Sequence, residues 1–284
     1  MSASADPLLL PPAPEGAEAA PSRSWLLPVL GLAALGFLLV PYGGLVLTTP
    51  WARLAPDGGD WAAVRTSVVE TLAALAIVVA GGTPLAWWLA RRGRRGRVAL
   101  DALLLLPLLT PPLAMGLLLA MAYGPYTVPG QAARALGIEL TNTPAAFLLA
   151  QVYASAPYYV LAARAAFEGV GREYEEIART LGRAPAHVFW HVSLPLARRG
   201  IATGIALAWV RALGEFGIAL IVAYYPQGIP VRLWVDLQDG GLGAVYPVLW
   251  VFFVIGLPLP LALGLWGRAS HDGSLGGQEA RHGA

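Results

Sequence analysis

The chain contains no cysteine and no lysine, and only four histidines, at positions 187, 191, 271 and 282. Without cysteine there is no disulfide, no thiolate metal site and no cysteine nucleophile. Without lysine there is no Gly-x-x-x-x-Gly-Lys-Ser/Thr phosphate-binding loop. His187 and His191 are four residues apart, as a zinc site on one helical face would use, but no third ligand accompanies them. They read better as solvated or docking side chains. No constellation of His, Asp, Glu or Ser stands out, so no catalytic residue and no metal ligand is assigned. Charge is scarce too: Asp, Glu, Lys and Arg make up 13% of the residues, where a soluble domain carries roughly a quarter.

What the sequence has instead is apolar length. Of its 284 residues 57% are hydrophobic, and the mean hydropathy is +0.60. Runs long enough to cross a hydrocarbon layer of about 30 Å at about 1.5 Å per residue occupy residues 25–47, 67–90, 100–123, 144–166, 201–224 and 243–266. The second closes on Trp87 and Trp88, aromatics suited to a membrane interface. The third contains Pro107, Pro111 and Pro112, which remove backbone hydrogen bonds, so this span should face protein or a pathway rather than lipid. Residues 124–143 read as an external Gly/Pro-containing loop and 225–242 as a second external segment. Residues 1–24, rich in Ala, Pro and Ser, read as a disordered tail and not as a secretory signal. Residues 267–284 read as a second disordered tail.

All the basic residues are arginine, and their placement sets the orientation. Arg91, Arg92, Arg94, Arg95 and Arg97 form the densest cluster, and its place between two spans points to topology rather than to nucleic acid. With both termini inside, arginines 23, 91, 92, 94, 95, 97, 164, 172, 179, 183, 198, 199, 268 and 281 are cytoplasmic, and only 53, 65, 134 and 232 lie outside. Arg211 falls in the membrane. The expected fold is an all-α integral membrane protein with six transmembrane helices and both termini cytoplasmic. It is organised as a tail at 1–24, a membrane domain at 25–266 and a tail at 267–284.

The longest polar interior stretch, residues 173–195, lies between the fourth and fifth spans and reads as two short helices with a turn. Glu173, Glu175 and Glu176 suit a first helical turn, Gly182 a left-handed cap, and Pro185 the first turn of a second helix. Pro195 reads as a break before the fifth span. The sequence Glu176-Ile177-Ala178, three residues, Gly182, nine residues, Val192-Ser193-Leu194-Pro195 resembles the EAA loop of bacterial ABC-importer permeases. Ile177 and Val192 depart from that pattern, apolar for apolar. The resemblance implies a cytoplasmic coupling helix that docks into a groove of a separate ATPase. Glu176, Ala178, Gly182, Val192, Leu194 and Pro195 would be the coupling residues.

Arg211 and Glu215 sit inside the fifth span, where an isolated charge costs about 2.5 to 3.5 kcal/mol, so both need a reason to be there. Four residues apart, they can pair on one face, while Gly214 and Gly217 leave room for a neighbouring helix. Two readings stand together: an ion pair that fixes packing at a subunit contact, and a polar patch beside a translocation pathway where Arg211 offers positive potential to an anion. The run Arg-Ala-Leu-Gly-Glu-Phe-Gly at 211–217 is similar to a segment of molybdate, tungstate and sulfate permeases. So are Gly-Thr-Pro-Leu-Ala at 82–86 and Leu-Pro-Leu-Leu-Thr-Pro-Pro at 106–112, and the likeness covers about residues 60–265.

This resemblance implies the membrane subunit of an ATP-driven oxyanion importer, with molybdate or tungstate as the first expectation. It implies a homodimer in the lipid of a bacterial or archaeal cytoplasmic (inner) membrane, with two cytoplasmic ATP-binding subunits and an external binding protein. ATP and Mg would be bound by the partner, with no cofactor on this chain and no nucleic acid. Residues 223–230 depart from the Ala-Gly-Asn pattern of many sulfate and molybdate members, so sulfate or another small anion stays open. A stand-alone secondary transporter or channel is the rival class. It would leave the cytoplasmic hairpin without a purpose.

Overall fold

The computed structural model describes residues 25–92 and 94–266; both expected tails lie outside the described residues. The described chain falls into two units, residues 25–51 and 52–266. The first is essentially one helix, α1 (Leu26–Thr48), aliphatic all round and with none of its residues buried. A helix without a polar face suits lipid rather than water.

The second unit opens on α2 (Gly58–Arg91), which is longer than the span read at 67–90 because Asp57 and Asp60 form a reciprocal capping box at its start. Its central partners are α6 (Pro144–Glu168) and α9 (Leu194–Leu213), and these three helices carry the core. Small residues let the backbones approach: Ala74, Ala86, Ala150, Ala163, Ala208 and Ala212 are fully or almost fully buried. Between them stand Tyr159 and Phe167 from α6 and Leu89 from α2. Several buried polar groups pair across this core: Thr83 bonds the Tyr159 hydroxyl at 2.5 Å, and Gln151 Nε2 donates to Thr71 Oγ1 at 2.8 Å and to the Ala212 carbonyl at 3.2 Å, while Gln151 Oε1 has no partner among the described residues.

Two expected spans are broken. The third divides into α3 (Arg94–Leu109) and α4 (Pro112–Tyr123), with a 108° bend at Thr110-Pro111. The fifth ends as α9 at Leu213 and resumes as the short α10 (Gly217–Val222). Among the described residues four helices are long and apolar enough to cross a membrane, namely α1, α2, α6 and Leu242–Trp266, with the bent α3/α4 pair as a fifth. The helix Leu242–Trp266 contains α12 (Leu242–Gly256).

The segments read as external carry structure. A short α5 (Val128–Ala135), capped by Thr127, lies within 124–143, and α11 (Ile229–Gly240) occupies most of 225–242. α11 carries apolar residues on one face only, so it makes no apolar run of span length and reads in sequence simply as an external segment. Arg232 of α11 holds it to the start of α2 through Asp60 at 2.9 Å and Asp57 at 3.0 Å, and pairs with Asp236 at 3.1 Å.

Candidate functional site

The polar hairpin consists of α7 (Arg172–Thr180), a turn, α8 (Pro185–Val188) and a π-helical turn over Phe189–Ser193 that runs directly into α9. Gly182 adopts φ +78°, and the amides of Gly182 and Arg183 close on the carbonyls of Arg179 and Ala178 at 2.9 and 3.1 Å. That is a Schellman cap, which needs a residue tolerant of the left-handed region. Pro185 stands in the first turn of α8 as read. Pro195 does not break the chain: it lies in the first turn of α9, just after the π turn, in which the Leu194 amide reaches back to the Phe189 carbonyl. The wider turn relieves the clash that a proline ring makes with the carbonyl four residues back.

Of the residues read for coupling, Glu176, Gly182 and Pro195 are exposed, and Ala178, Val192 and Leu194 are half-buried. Exposed beside them are Tyr174, Ile177, Leu181 and Trp190, an apolar surface on an otherwise polar hairpin. His187 and His191 stack with ring centroids 4.0 Å apart. Among the described residues no cluster of three or more His, Asp or Glu side chains is arranged to hold a metal ion.

The residue that sequence reasoning passed over is Glu175. It is 3% exposed, and its Oε1 accepts from Arg91 Nη2 at 2.6 Å, Arg91 Nε at 2.9 Å, Ser193 Oγ at 2.6 Å and Trp87 Nε1 at 3.3 Å. Arg91 also donates to the Phe167 and Val170 carbonyls at 2.9 and 3.4 Å. One carboxylate thus joins the end of α2, the end of α6 and both arms of the hairpin. Burial pushes this carboxyl up, but the hydrogen bonds from Arg91 and Ser193, the Arg91 charge and the Trp87 bond outweigh it and hold Glu175 below the ordinary carboxylate range. Trp87, read as an interface aromatic, packs edge-on to Phe189 at 5.3 Å and belongs to this joint, whereas Trp88 is exposed with the Arg92 guanidinium 4.1 Å above its ring.

The two broken spans meet at a cleft of about 530 Å³. Arg211, Gly214, Glu215 and Gly217 all line it, together with Pro107 and Thr110 to Leu113 from the α3/α4 bend and Tyr153 and Tyr158 from α6. Glu215 is fully buried, with Oε1 accepting from the Ile218 amide at 2.6 Å and Oε2 from Arg211 Nη1. The pair read as lying on one continuous helix therefore bridges the end of α9 and the start of α10, where the carboxylate satisfies an amide that the break leaves open. Gly217 allows the contact between the two breaks, because a Cβ there would lie 2.6 Å from Pro112 Cβ. Gly214 plays no such part, since its nearest foreign atom, on Phe252, would be 3.9 Å away. The Arg211 guanidinium also lies 5.9 Å from the Tyr158 ring.

Comparison with known proteins agrees with this arrangement. The family described as binding-protein-dependent transport system inner membrane component matches residues 82–269. A probable molybdenum ABC transporter permease protein of Haloferax volcanii is 41% identical over 80% of this chain and 83% of its own. The molybdate/tungstate transport system permease protein WtpB of Pyrococcus abyssi is 29% identical over 81% of this chain and 92% of its own. A bacterial alginate ABC transporter, solved with a periplasmic protein carrying an alginate pentasaccharide, shares the fold. Its TM-score is 0.69 at 17% identity, over 87% of this chain and 95% of that one. With its apolar spans, its polar hairpin and a match covering both broken helices, this chain belongs to the family of inner membrane components of binding-protein-dependent transport systems.

Proposed function

We propose that the chain is the membrane subunit of an ATP-driven importer for a tetrahedral oxyanion, molybdate or tungstate first. The observation that carries this reading is the cleft in which Arg211 meets the two broken spans. It is reinforced by the relatives whose names give molybdenum, molybdate and tungstate as their transported species. A discontinuous span exposes backbone groups at membrane depth, which is tolerated where they are buried in protein or line a watery path.

Six spans with both termini cytoplasmic complete the reading, α9 with α10 counting as the fifth. The Arg91 cluster, the hairpin and the 198–199 arginine pair then all face the cytoplasm. A tail at 1–24, a membrane domain at 25–266 and a tail at 267–284 follow from it. Two copies would form the pore, each hairpin docked on one of two ATP-binding subunits, with an external binding protein delivering the anion. ATP and Mg belong to the partner.

Coupling would run through the apolar surface of the hairpin and through Glu176, Ala178, Gly182, Val192, Leu194 and Pro195. The joint at Glu175 lets the hairpin move as one piece with the ends of α2 and α6. Closure of the partner around ATP would push on the hairpin, and α9, continuous with it, would carry the displacement to the break at Gly214. The direct check is copurification from membranes. The native chain should bring down an ATPase whose activity rises with the loaded binding protein, and Gly182→Arg should lose or uncouple it. A native chain that is isolated as a stable homomer and moves solute unaided would instead be a secondary transporter.

A further inference from the structure

Among the described residues Arg211 is the one cation that lines the cleft and Glu215 the one anion, so the site they form carries no net charge as it stands. The two groups are not equivalent. Glu215 is fully buried and both its oxygens are occupied, one by the Ile218 amide and one by Arg211. Arg211 keeps about a quarter of its side chain exposed, and Glu215 is the sole hydrogen-bond acceptor it has among the described residues. A guanidinium carries five N–H donors, so most of the fork is left for whatever enters the cleft. Tyr158, Tyr153 and Thr110 share the same lining, with the Thr110 hydroxyl donating to the Leu106 carbonyl and the Tyr153 hydroxyl bonded to that of Tyr123.

We infer that Glu215 is an internal competitor of the transported anion: a carboxylate that occupies part of Arg211 and keeps the site weak enough for an oxyanion to pass without being trapped. This rests on the proposed importer function. The physical need is general, because a pathway site must attract its ion and still release it. A lone arginine in a partly dry cleft would hold a dianion strongly, since a unit charge a few ångströms away is poorly screened there. The buried carboxylate cancels that field. It cannot leave with the anion, being tied to the start of α10 through the Ile218 amide.

The test uses the full-length permease assembled with its ATPase, and radiolabelled molybdate as the probe. Glu215→Gln keeps the shape, and its amide oxygen can still accept from Ile218, but the cleft becomes singly positive. Molybdate should bind this variant about tenfold more tightly or better, and uptake should show a lower KM together with a lower turnover. The double variant Arg211→Gln/Glu215→Gln, neutral like the native site, should lose the gain in affinity. Should Glu215→Gln not fold, Thr110→Lys places a second cation in the lining without touching the pair, and should tighten binding in the same way. With native uptake intact, molybdate affinity unchanged in a folded Glu215→Gln, or in Thr110→Lys where Glu215→Gln does not fold, overturns this inference alone. Absence of molybdate, tungstate or sulfate uptake by the native complex overturns the importer reading, and this inference with it.

Discussion

The molecule uses an arginine and a buried glutamate twice, and the two pairs are finished differently. At the cytoplasmic joint Glu175 is surrounded by donors from Arg91, Ser193 and Trp87, and Arg91 spends its remaining donors on the carbonyls that end α6. In the cleft Glu215 is equally buried, but Arg211 is left with spare donors beside open space. The first pair is closed on itself and can only hold elements together. The second is open on its cationic side and can take a guest. Burial of the carboxylate is common to both, so it is the unfinished arginine that separates a joint from a binding site.

The strongest way to break this contrast is to remove each partner in turn. Glu175→Ala leaves the largely enclosed Arg91 guanidinium without its carboxylate, which costs up to about 3 to 5 kcal/mol for a buried pair. Recovery of the ATPase with the permease should collapse, together with thermal stability in detergent. The neutral double variant Arg211→Gln/Glu215→Gln, which leaves no charge stranded in the cleft, should do the reverse, leaving copurification near the native level while oxyanion uptake falls about a hundredfold, some 2.7 kcal/mol. If that double variant loses the partner and Glu175→Ala loses only uptake, the assignment of the two pairs is inverted.

Smaller changes sharpen it. Ser193→Ala removes one donor to a charged group, worth about 1.5 kcal/mol, and should weaken recovery of the ATPase partly, in step with a lowered melting temperature. Gly182→Ala pays about 1 kcal/mol for its left-handed backbone and meets no neighbouring atom, so partner binding should survive it where Gly182→Arg does not. The smallest effect is in the pH dependence. The carboxyl of Glu175 is depressed below its ordinary value of 4.5, so its stabilisation is complete above that pH and fades as pH falls through the folded value. The stability difference between native and Glu175→Gln should be flat from neutral pH down to about 4.5 and shrink below it.

The sequence reveals the apolar spans, the hairpin, its left-handed turn and the Arg211–Glu215 pair because each is a local pattern. Gly182 announces a turn whatever surrounds it. The joint is invisible for the opposite reason: Glu173, Glu175 and Glu176 are alike in sequence, and only packing against Arg91, 84 residues away, selects one of them. Trp87 likewise carries an interface pattern and a half-buried packing role against Phe189 that periodicity does not separate. At Pro195 the local rule misled, since a π turn accommodates the ring inside a continuing helix. The breaks at Thr110 and Gly214 were half legible: prolines mark the first, while Gly-Glu-Phe marks the second only once Pro112 is seen against Gly217.

The most direct test of the whole account is uptake of molybdate into proteoliposomes holding the permease with its ATPase, with the loaded binding protein on the outside and ATP trapped inside. The account predicts uptake that needs both partners and ATP hydrolysis, and that disappears with Gly182→Arg although the permease is still inserted. Uptake that persists with the permease alone, at the same rate with and without ATP, would contradict it.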